Sequence, residues 1–555
     1  MTHRPKRPAS DAPIKTCPLW FFALFAVAFS LQVLPNLFKD SDVADERLEI
    51  ADGFYYWGGD VVSHHYHPPV ATALQGLPLR LKIGKMPLPQ ASLFSSERAE
   101  WFFRTLGPEG SLWALFHARI VTWLFGLILG FLLWDMSRRR PAAVAWATMA
   151  LWAFEPTLGA FSGLALSDLP LAALFLLAVR VWVGLRRKPF GPVLTGALAA
   201  AAACAKFSGL VLLPVLGALE FLELRGELGT TGSWMRRAAL FGLGFLAAVG
   251  FVYLPGTLKI PGHPSPWSLA FSGLWDMAGY KGHPTFFLGV LSHSNHLAYY
   301  PVAFVLKTAT PFLLLLAAAK IGLLTGRLKL PAHVWLPGAA FFLAIIPTQN
   351  LGVRYLLPAV PFFILAASEV FGALWEEAGR KGPTFHYLTA GLLVWQAGVS
   401  LAAYPNRISF FNEFVPASAK WRLLGDSNFD FGQNRWRLAA WLKGRGAPPV
   451  KVPALFDWKP DLGGYPSEKW KAGEEAIRPQ PGFAYALDAG YEQLGAGFDP
   501  RASAITGGWV KDLKPDVVVA ETWKVWLDPA ARSPQATKAP QGPESSVKMA
   551  SENKR

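Results

Sequence analysis

Eleven apolar runs constrain this chain more than any other feature, and they lie near residues 18–37, 112–134, 141–157, 168–185, 190–204, 208–224, 238–255, 301–323, 332–347, 355–375 and 385–403. A hydrocarbon core of about 30 Å is crossed by roughly 20 apolar residues of helix. Inside it every backbone polar group must find its partner within the protein. The runs are therefore predicted to be membrane-crossing helices. Composition agrees, with 52% hydrophobic and only 16% charged residues, against about 25% charged in ordinary soluble domains. An aromatic content of 14% excludes disorder over most of the length.

The net charge of +15 is explained by where the cations fall. Arg138–Arg139–Arg140, Arg186–Arg187–Lys188, Arg225 with Arg236–Arg237, Arg327 with Lys329, and Arg380–Lys381 occupy alternate connectors. They share a side with the basic N-terminal tail, which holds Arg4, Lys6, Arg7 and Lys15. The positive-inside rule places that side in the cytoplasm, and an odd number of spans leaves the C-terminus outside. A basic groove with interleaved aromatics is missing from the sequence, which argues against a nucleic-acid partner. The first run is too long for a signal peptide and no small-residue cleavage site follows it, so it is read as a retained span. Cys17 and Cys204 are too few for a disulfide framework.

The expected organisation is a cytoplasmic tail (1–17), a membrane domain (18–403), an outer C-terminal domain (404–528) and a disordered tail (529–555) rich in Ser, Pro, Lys and Gln. Two long outer loops, 38–111 and 256–300, belong to the membrane domain. Residues 404–527 mix Trp, Gly and Pro with short β-rich runs such as Asp516–Val517–Val518–Val519–Ala520, which fits a small α/β domain.

A charge inside a span costs about 2.5–3.5 kcal/mol on insertion scales, so ionisable groups at span ends are functional candidates. On the outer side these are Asp45, Glu46, Asp168, Lys206, Lys307 and Arg354. The Asp45–Glu46 pair suits general-base work on a hydroxyl, or simply caps and solvates its loop. Lys206 either snorkels to the interface or meets an anion. The planar fork of Arg354 suits phosphate. His64, His65 and His67 have no matched Cys/His spacing of a metal site, and His67–Pro68–Pro69 reads as a rigid turn that shapes the loop. Loop carboxylates and histidines still leave a divalent cation open as a cofactor. His293 and His296 fit interfacial packing beside Tyr299 and Tyr300.

Together these segments resemble the GT-C superfamily of membrane glycosyltransferases, in the branch of protein O-mannosyltransferases and aminoarabinose transferases. D-E-R-L-E-I from Asp45, with H-P-P-V from His67 about twenty residues on, is similar to that family's first-loop motifs. E-P-T-L-G-A-F-S-G-L-A-L-S-D-L-P, with Asp168, resembles its second acidic motif. A-K-F-S-G-L at Lys206 and L-G-V-R-Y-L-L-P-A-V-P-F at Arg354 are similar to further segments, as are F-F-N-E-F and L-L-G-D-S-N-F-D-F-G-Q-N. Two departures are Phe431, where Trp is more common, and Val70, where Leu is usual.

The resemblance covers about residues 18–527. It implies a GT-C-like polytopic helical fold and inverting transfer of one sugar from a polyprenyl-phosphate donor to an acceptor hydroxyl of a protein, lipid or glycan. Asp45 would be the base, Glu46 would position the loop and Asp168 would orient acceptor or base. Lys206 and Arg354 would grip the lipid phosphate, with Lys307 assisting. The setting would be a bacterial inner membrane, among membrane lipids. Two rival readings are a transporter or flippase of lipid-linked sugars, which would more often carry internal repeats and helices broken at mid-membrane, and a non-catalytic glycan-binding relative.

Overall fold

The computed structural model describes residues 16–43, 45–59, 67–87, 95–225, 231–259, 262, 264–279, 282–453, 462–471, 473, 477–498 and 501–532. His64, His65, the basic residues of the N-terminal tail and most of the tail after residue 529 lie outside them. All the apolar runs are helical. Their order begins α1 (Leu19–Lys39), α2 (Glu46–Tyr56), α3 (Val70–Ile83), α4 (Ser95–Ser137), α5 (Ala142–Ala153), α6 (Pro156–Phe161), α7 (Asp168–Leu185), α8 (Gly191–Ala203) and α9 (Leu212–Leu224). It continues with α10 (Thr231–Lys259), α11 (Pro266–Gly279), α12 (Tyr299–Lys307), α13 (Thr310–Leu324), α14 (Ala332–Ile345), α15 (Val360–Lys381) and α16 (Pro383–Ala402). Among the described residues, 5 helices are long and apolar enough to cross a membrane, and four shorter ones are strongly apolar.

The chain divides into two compact units, Met1–Trp436 and Arg437–Arg555. The second unit thus begins at Arg437 rather than at residue 404. Residues 404–436 are woven by hydrogen bonds into the first unit, as the site below makes plain.

In the first unit, α4 breaks at Gly107, whose φ of 68° leaves the helical region immediately before Pro108. Its first part packs with α2 and α3 around Ile50, Phe54, Leu79 and Phe102. Helices α2 and α3 meet backbone to backbone: a Cβ on Gly53 would lie 1.9 Å from the Thr72 carbonyl oxygen, and one on Gly76 2.2 Å from Gly53. Small residues allow this close approach, and it fixes the face that α2 presents.

At the other end of α7 from Asp168, Arg180 pairs with Asp135 and Arg186 with Glu223 at 2.5 Å. At 1.5 Å per residue the two ends are about 27 Å apart. On α7, therefore, a basic connector and an acidic candidate occupy opposite ends of the helix.

A short hairpin, β1 (Thr285–Phe287) and β2 (Val290–Ser292), precedes α12. The second unit holds a five-stranded mixed sheet of β3 (Val450–Val452), β4 (Ser467–Lys469), β5 (Ala484–Asp488), β6 (Val517–Val519) and β7 (Trp523–Trp526), in the order β4-β3-β5-β7-β6. Strand β3 runs parallel to both neighbours, while β5-β7 and β6-β7 are antiparallel. Alternating side chains split the core between its faces, with Val450, Val452, Ala486 and Val525 on one and Trp470, Tyr485, Trp509 and Trp526 on the other.

Candidate active site

Four of the predicted residues come together from four separate parts of the chain. Asp45 precedes the first turn of α2 with its carboxylate not used as a cap, and its Oδ2 accepts from Arg354 Nη2 at 2.7 Å. Asp168 opens α7, and its Oδ1 accepts from Lys206 Nζ at 2.5 Å. Its Oδ2 lies 3.6 Å from Arg354 Nη1, so the two ion pairs are joined. Lys206 sits in extended backbone between α8 and the short turn Phe207–Val211. Arg354 sits in the turn Val353–Leu356 ahead of α15. Each is at a helix end, where irregular backbone can aim a long side chain across the packing.

Aromatic rings support the cations. Lys206 Nζ is 3.7 Å from the centre of the Tyr355 ring, and the Arg354 guanidinium is 4.7 Å from that of Phe431. Such contacts are worth about 2 kcal/mol when desolvated, so Phe431 retains the aromatic support at the position where Trp is usual.

The four side chains differ sharply in access. Asp168, Arg354 and Lys206 are 2, 6 and 7% exposed, whereas the Asp45 side chain is 33% exposed. Asp45 is thus the carboxylate of the set that a second reactant can reach. Burial alone would push its carboxyl up, but the Arg354 guanidinium holds it below the usual carboxylate range.

Two further residues complete the cluster. Glu49, one helical turn after Asp45, is buried, and burial pushes its carboxyl well above the usual range, with the Asp168 charge adding to the effect. Burial, followed by the Lys206 charge, pushes the His67 imidazole down to about 4, so it is neutral at pH 7. His67 therefore belongs to the charged site and is more than a turn former. Pro68 and Pro69 lead into α3, and Val70 N–H donates to the Cys204 carbonyl at 2.8 Å, which ties the loop to the Lys206 segment. Buried Glu49 Oε2, His67 Nδ1, Asp168 Oδ2 and Arg354 Nε have no hydrogen-bond partner within the protein. Buried polar atoms in that condition call for an explanation, and here four of them fall within one cluster.

Glu46 turns away from this cluster. Its carboxylate is fully buried, takes a bidentate bond from Arg119 (2.8 and 2.7 Å), and accepts from the backbone of Val43 and Ala165. With four hydrogen bonds it is a brace of the first loop. Lys307 is tied into the fold: its ammonium donates to the carbonyls of Ile408 and Asn428 at 2.7 and 2.5 Å and lies 4.7 Å from the Phe411 ring centre.

Segment 425–435 joins the two halves of the site. Asn428 Oδ1 accepts from Val353 N–H at 2.8 Å, and Ser427 Oγ donates to the Leu351 carbonyl at 3.0 Å. Between those contacts stands Gly352, with φ of 111°, where a Cβ would lie 2.1 Å from Ser427 Oγ. On the other side Ser41 Oγ donates to the Gly432 carbonyl at 2.6 Å, and Arg435 pairs with Asp42 at 2.9 Å. Of the residues that line or frame the site, Glu49, Tyr355, Phe431, Asp426 and Arg119 were missed as functional candidates. Glu49 had a signal in its i, i+4 spacing from Asp45, and Asp426 and Phe431 lie in the L-L-G-D-S-N-F-D-F-G-Q-N segment quoted for the resemblance. His293 and His296 stay outside the cluster: His293 meets the Gly282 carbonyl, and His296 lies against Phe287. Among the described residues no group of three or more His, Cys, Asp or Glu side chains is arranged to hold a metal ion.

No protein-family model matches the chain. No curated protein matches its sequence. Similarity appears among solved structures. ArnT from Cupriavidus metallidurans in the apo state superposes with a TM-score of 0.49 at 13% identity, covering 91% of this chain and 97% of that one. The same protein bound to undecaprenyl phosphate gives 0.48 at 13% identity, with 86% and 94% covered. The Archaeoglobus fulgidus oligosaccharyltransferase in the apo form gives 0.42 at 13% identity, with 77% and 58% covered. At such low identity and TM-score, the chemistry of this chain rests on its own residues.

Proposed function

We propose that the chain is an inverting glycosyltransferase that moves one sugar from a polyprenyl-phosphate donor to an acceptor hydroxyl at the outer face of a bacterial inner membrane. The observation that carries this reading is the pairing of one accessible carboxylate, Asp45, with a buried cation, Arg354, that keeps an unpartnered N–H. Asp45 takes the proton from the acceptor hydroxyl as its oxygen attacks the anomeric carbon. The bond from that carbon to the phosphate oxygen breaks, and its electron pair leaves on the polyprenyl phosphate. Attack opposite the leaving group inverts the anomeric centre. Arg354 and Lys206 stabilise the departing charge, which grows in the transition state. Asp168 holds Lys206 in place. The acceptor is a hydroxyl of a protein, lipid or glycan.

Charge-assisted hydrogen bonds are worth about 1.5–3 kcal/mol. Arg354→Ala and Lys206→Ala are each expected to weaken undecaprenyl phosphate binding by roughly 10–100-fold, measured on protein in lipid nanodiscs. Unchanged affinity in both variants would place the phosphate elsewhere.

Orientation has its own test. Cys17 is partly exposed and Cys204 is buried. A membrane-impermeant maleimide is expected to label Cys17 in inverted vesicles and not in intact spheroplasts. The opposite result would reverse the topology.

A further inference from the structure

The geometry points to Asp426 as the residue that reads the sugar of the donor, a role that rests on the proposed transfer reaction. Asp426 is half-buried and holds a left-handed backbone conformation, φ 56°. That region is uncommon outside glycine, though Asp and Asn tolerate it. Strained positions of this kind persist where the surroundings over-determine them, and they gather at binding sites.

The surroundings here are specific. The Gly425 carbonyl accepts from Asn428 Nδ2 at 2.9 Å, and Ser427 and Asn428 are bonded to Leu351 and Val353 on either side of Gly352. This holds the 425–428 turn against the turn that carries Arg354. The Asp426 carboxylate accepts from the Ser427 N–H and lies in the field of Arg354, His283 and Asp45. Beside it Arg354, 6% exposed, keeps its Nε without a partner within the protein.

A donor phosphate on Arg354 and an acceptor hydroxyl on Asp45 leave one part of the reacting pair between them, the sugar ring. A side chain on the 425–428 turn, which Ser427 and Asn428 bind to the turn that carries Arg354, is placed to meet that ring. Its carboxylate, an acceptor only, would take hydrogen bonds from ring hydroxyls. A site built to bond a hydroxyl discriminates against analogues that lack it.

The test compares two probes on the full-length protein in nanodiscs: undecaprenyl phosphate, and undecaprenyl phosphate bearing a pentose or a hexose. Asp426→Asn keeps the backbone preference and removes the charge. It is expected to lower affinity for the sugar-bearing lipid that wild type binds best by about 10–100-fold, with affinity for undecaprenyl phosphate unchanged. Asp426→Gly also accepts the backbone angle and gives the same readout should the Asn protein fail to fold. Equal losses for both probes would make Asp426 a brace for Arg354 and overturn the proposal. So would no loss for either probe, or a wild type that binds no sugar-bearing lipid more tightly than undecaprenyl phosphate. Failure of the phosphate site would appear separately, as Arg354→Ala binding undecaprenyl phosphate like wild type.

Discussion

Asp45→Asn is expected to lower sugar transfer by about 10²–10⁴-fold, the usual contribution of a general base, while the protein still folds and still binds undecaprenyl phosphate. The side chain keeps its size and can still accept from Arg354 through its amide oxygen, so the loss falls on proton transfer. The assay is transfer of labelled sugar from polyprenyl phosphate by reconstituted protein. Transfer near the wild-type rate would remove Asp45 from the mechanism.

The ion pair also sets how transfer depends on pH. Arg354 holds the Asp45 carboxyl below the usual carboxylate range despite burial. A depressed acid is ionised at neutral pH and loses its charge only as pH falls through that low value. The acid side of the profile of wild type is therefore expected to be flat down to the ordinary carboxylate range. In Arg354→Gln the largest lowering influence is gone, with Lys206 left to oppose burial, so the acid limb moves to higher pH at saturating donor. The pairing has a cost, since a carboxylate held so acidic is a weak base. In the proposed reaction a donor phosphate would draw on the same guanidinium as Asp45, and its arrival would weaken the hold on Asp45 and raise its basicity when the leaving group is in place.

What the sequence made legible follows from the physics of the bilayer. Ionisable residues at span ends are few because they are costly, and that rarity singled out Asp45, Asp168, Lys206 and Arg354, which the structure joins. Adjacent residues were harder. Asp45 and Glu46 read as one acidic pair, but successive residues on a helix diverge by about 100°, and the two carboxylates separate onto Arg354 and Arg119. Glu49, four residues from Asp45, shares its side instead. Lys307 resembled Lys206 as a lone cation near a span end, yet its partners are carbonyls of segment 408–428. That segment was assigned to the outer domain, and only long-range pairing returns it to the membrane unit. Asp426 and Phe431 lie in a segment that the resemblance picks out, but their placement near the Arg354 turn is set by contacts far along the chain.

Loss of the Glu46–Arg119 pair is expected to be the most damaging single change to stability. Both side chains are 0% exposed, and Arg119 also donates to the carbonyls of Leu37, Asp40 and Ser41 at 3.0, 2.8 and 2.9 Å. It thereby satisfies part of the C-terminal end of α1, whose last carbonyls have no partner inside the helix, and fixes the turn from which α2 and Asp45 depart. Removing one partner of a buried pair costs about 3–5 kcal/mol, because the other charge is left uncompensated. Glu46→Gln and Arg119→Met are each expected to destabilise by that amount, read as a fall in unfolding midpoint of the detergent-solubilised protein. The double variant Glu46→Leu, Arg119→Met removes both charges and often recovers such a loss. Here recovery is expected to be partial, since the three backbone carbonyls lose the Arg119 donor, a buried hydrogen bond being worth about 1–3 kcal/mol when one partner is lost. Full recovery would reduce Arg119 to a counter-ion for Glu46; partial recovery makes it the anchor of the first loop.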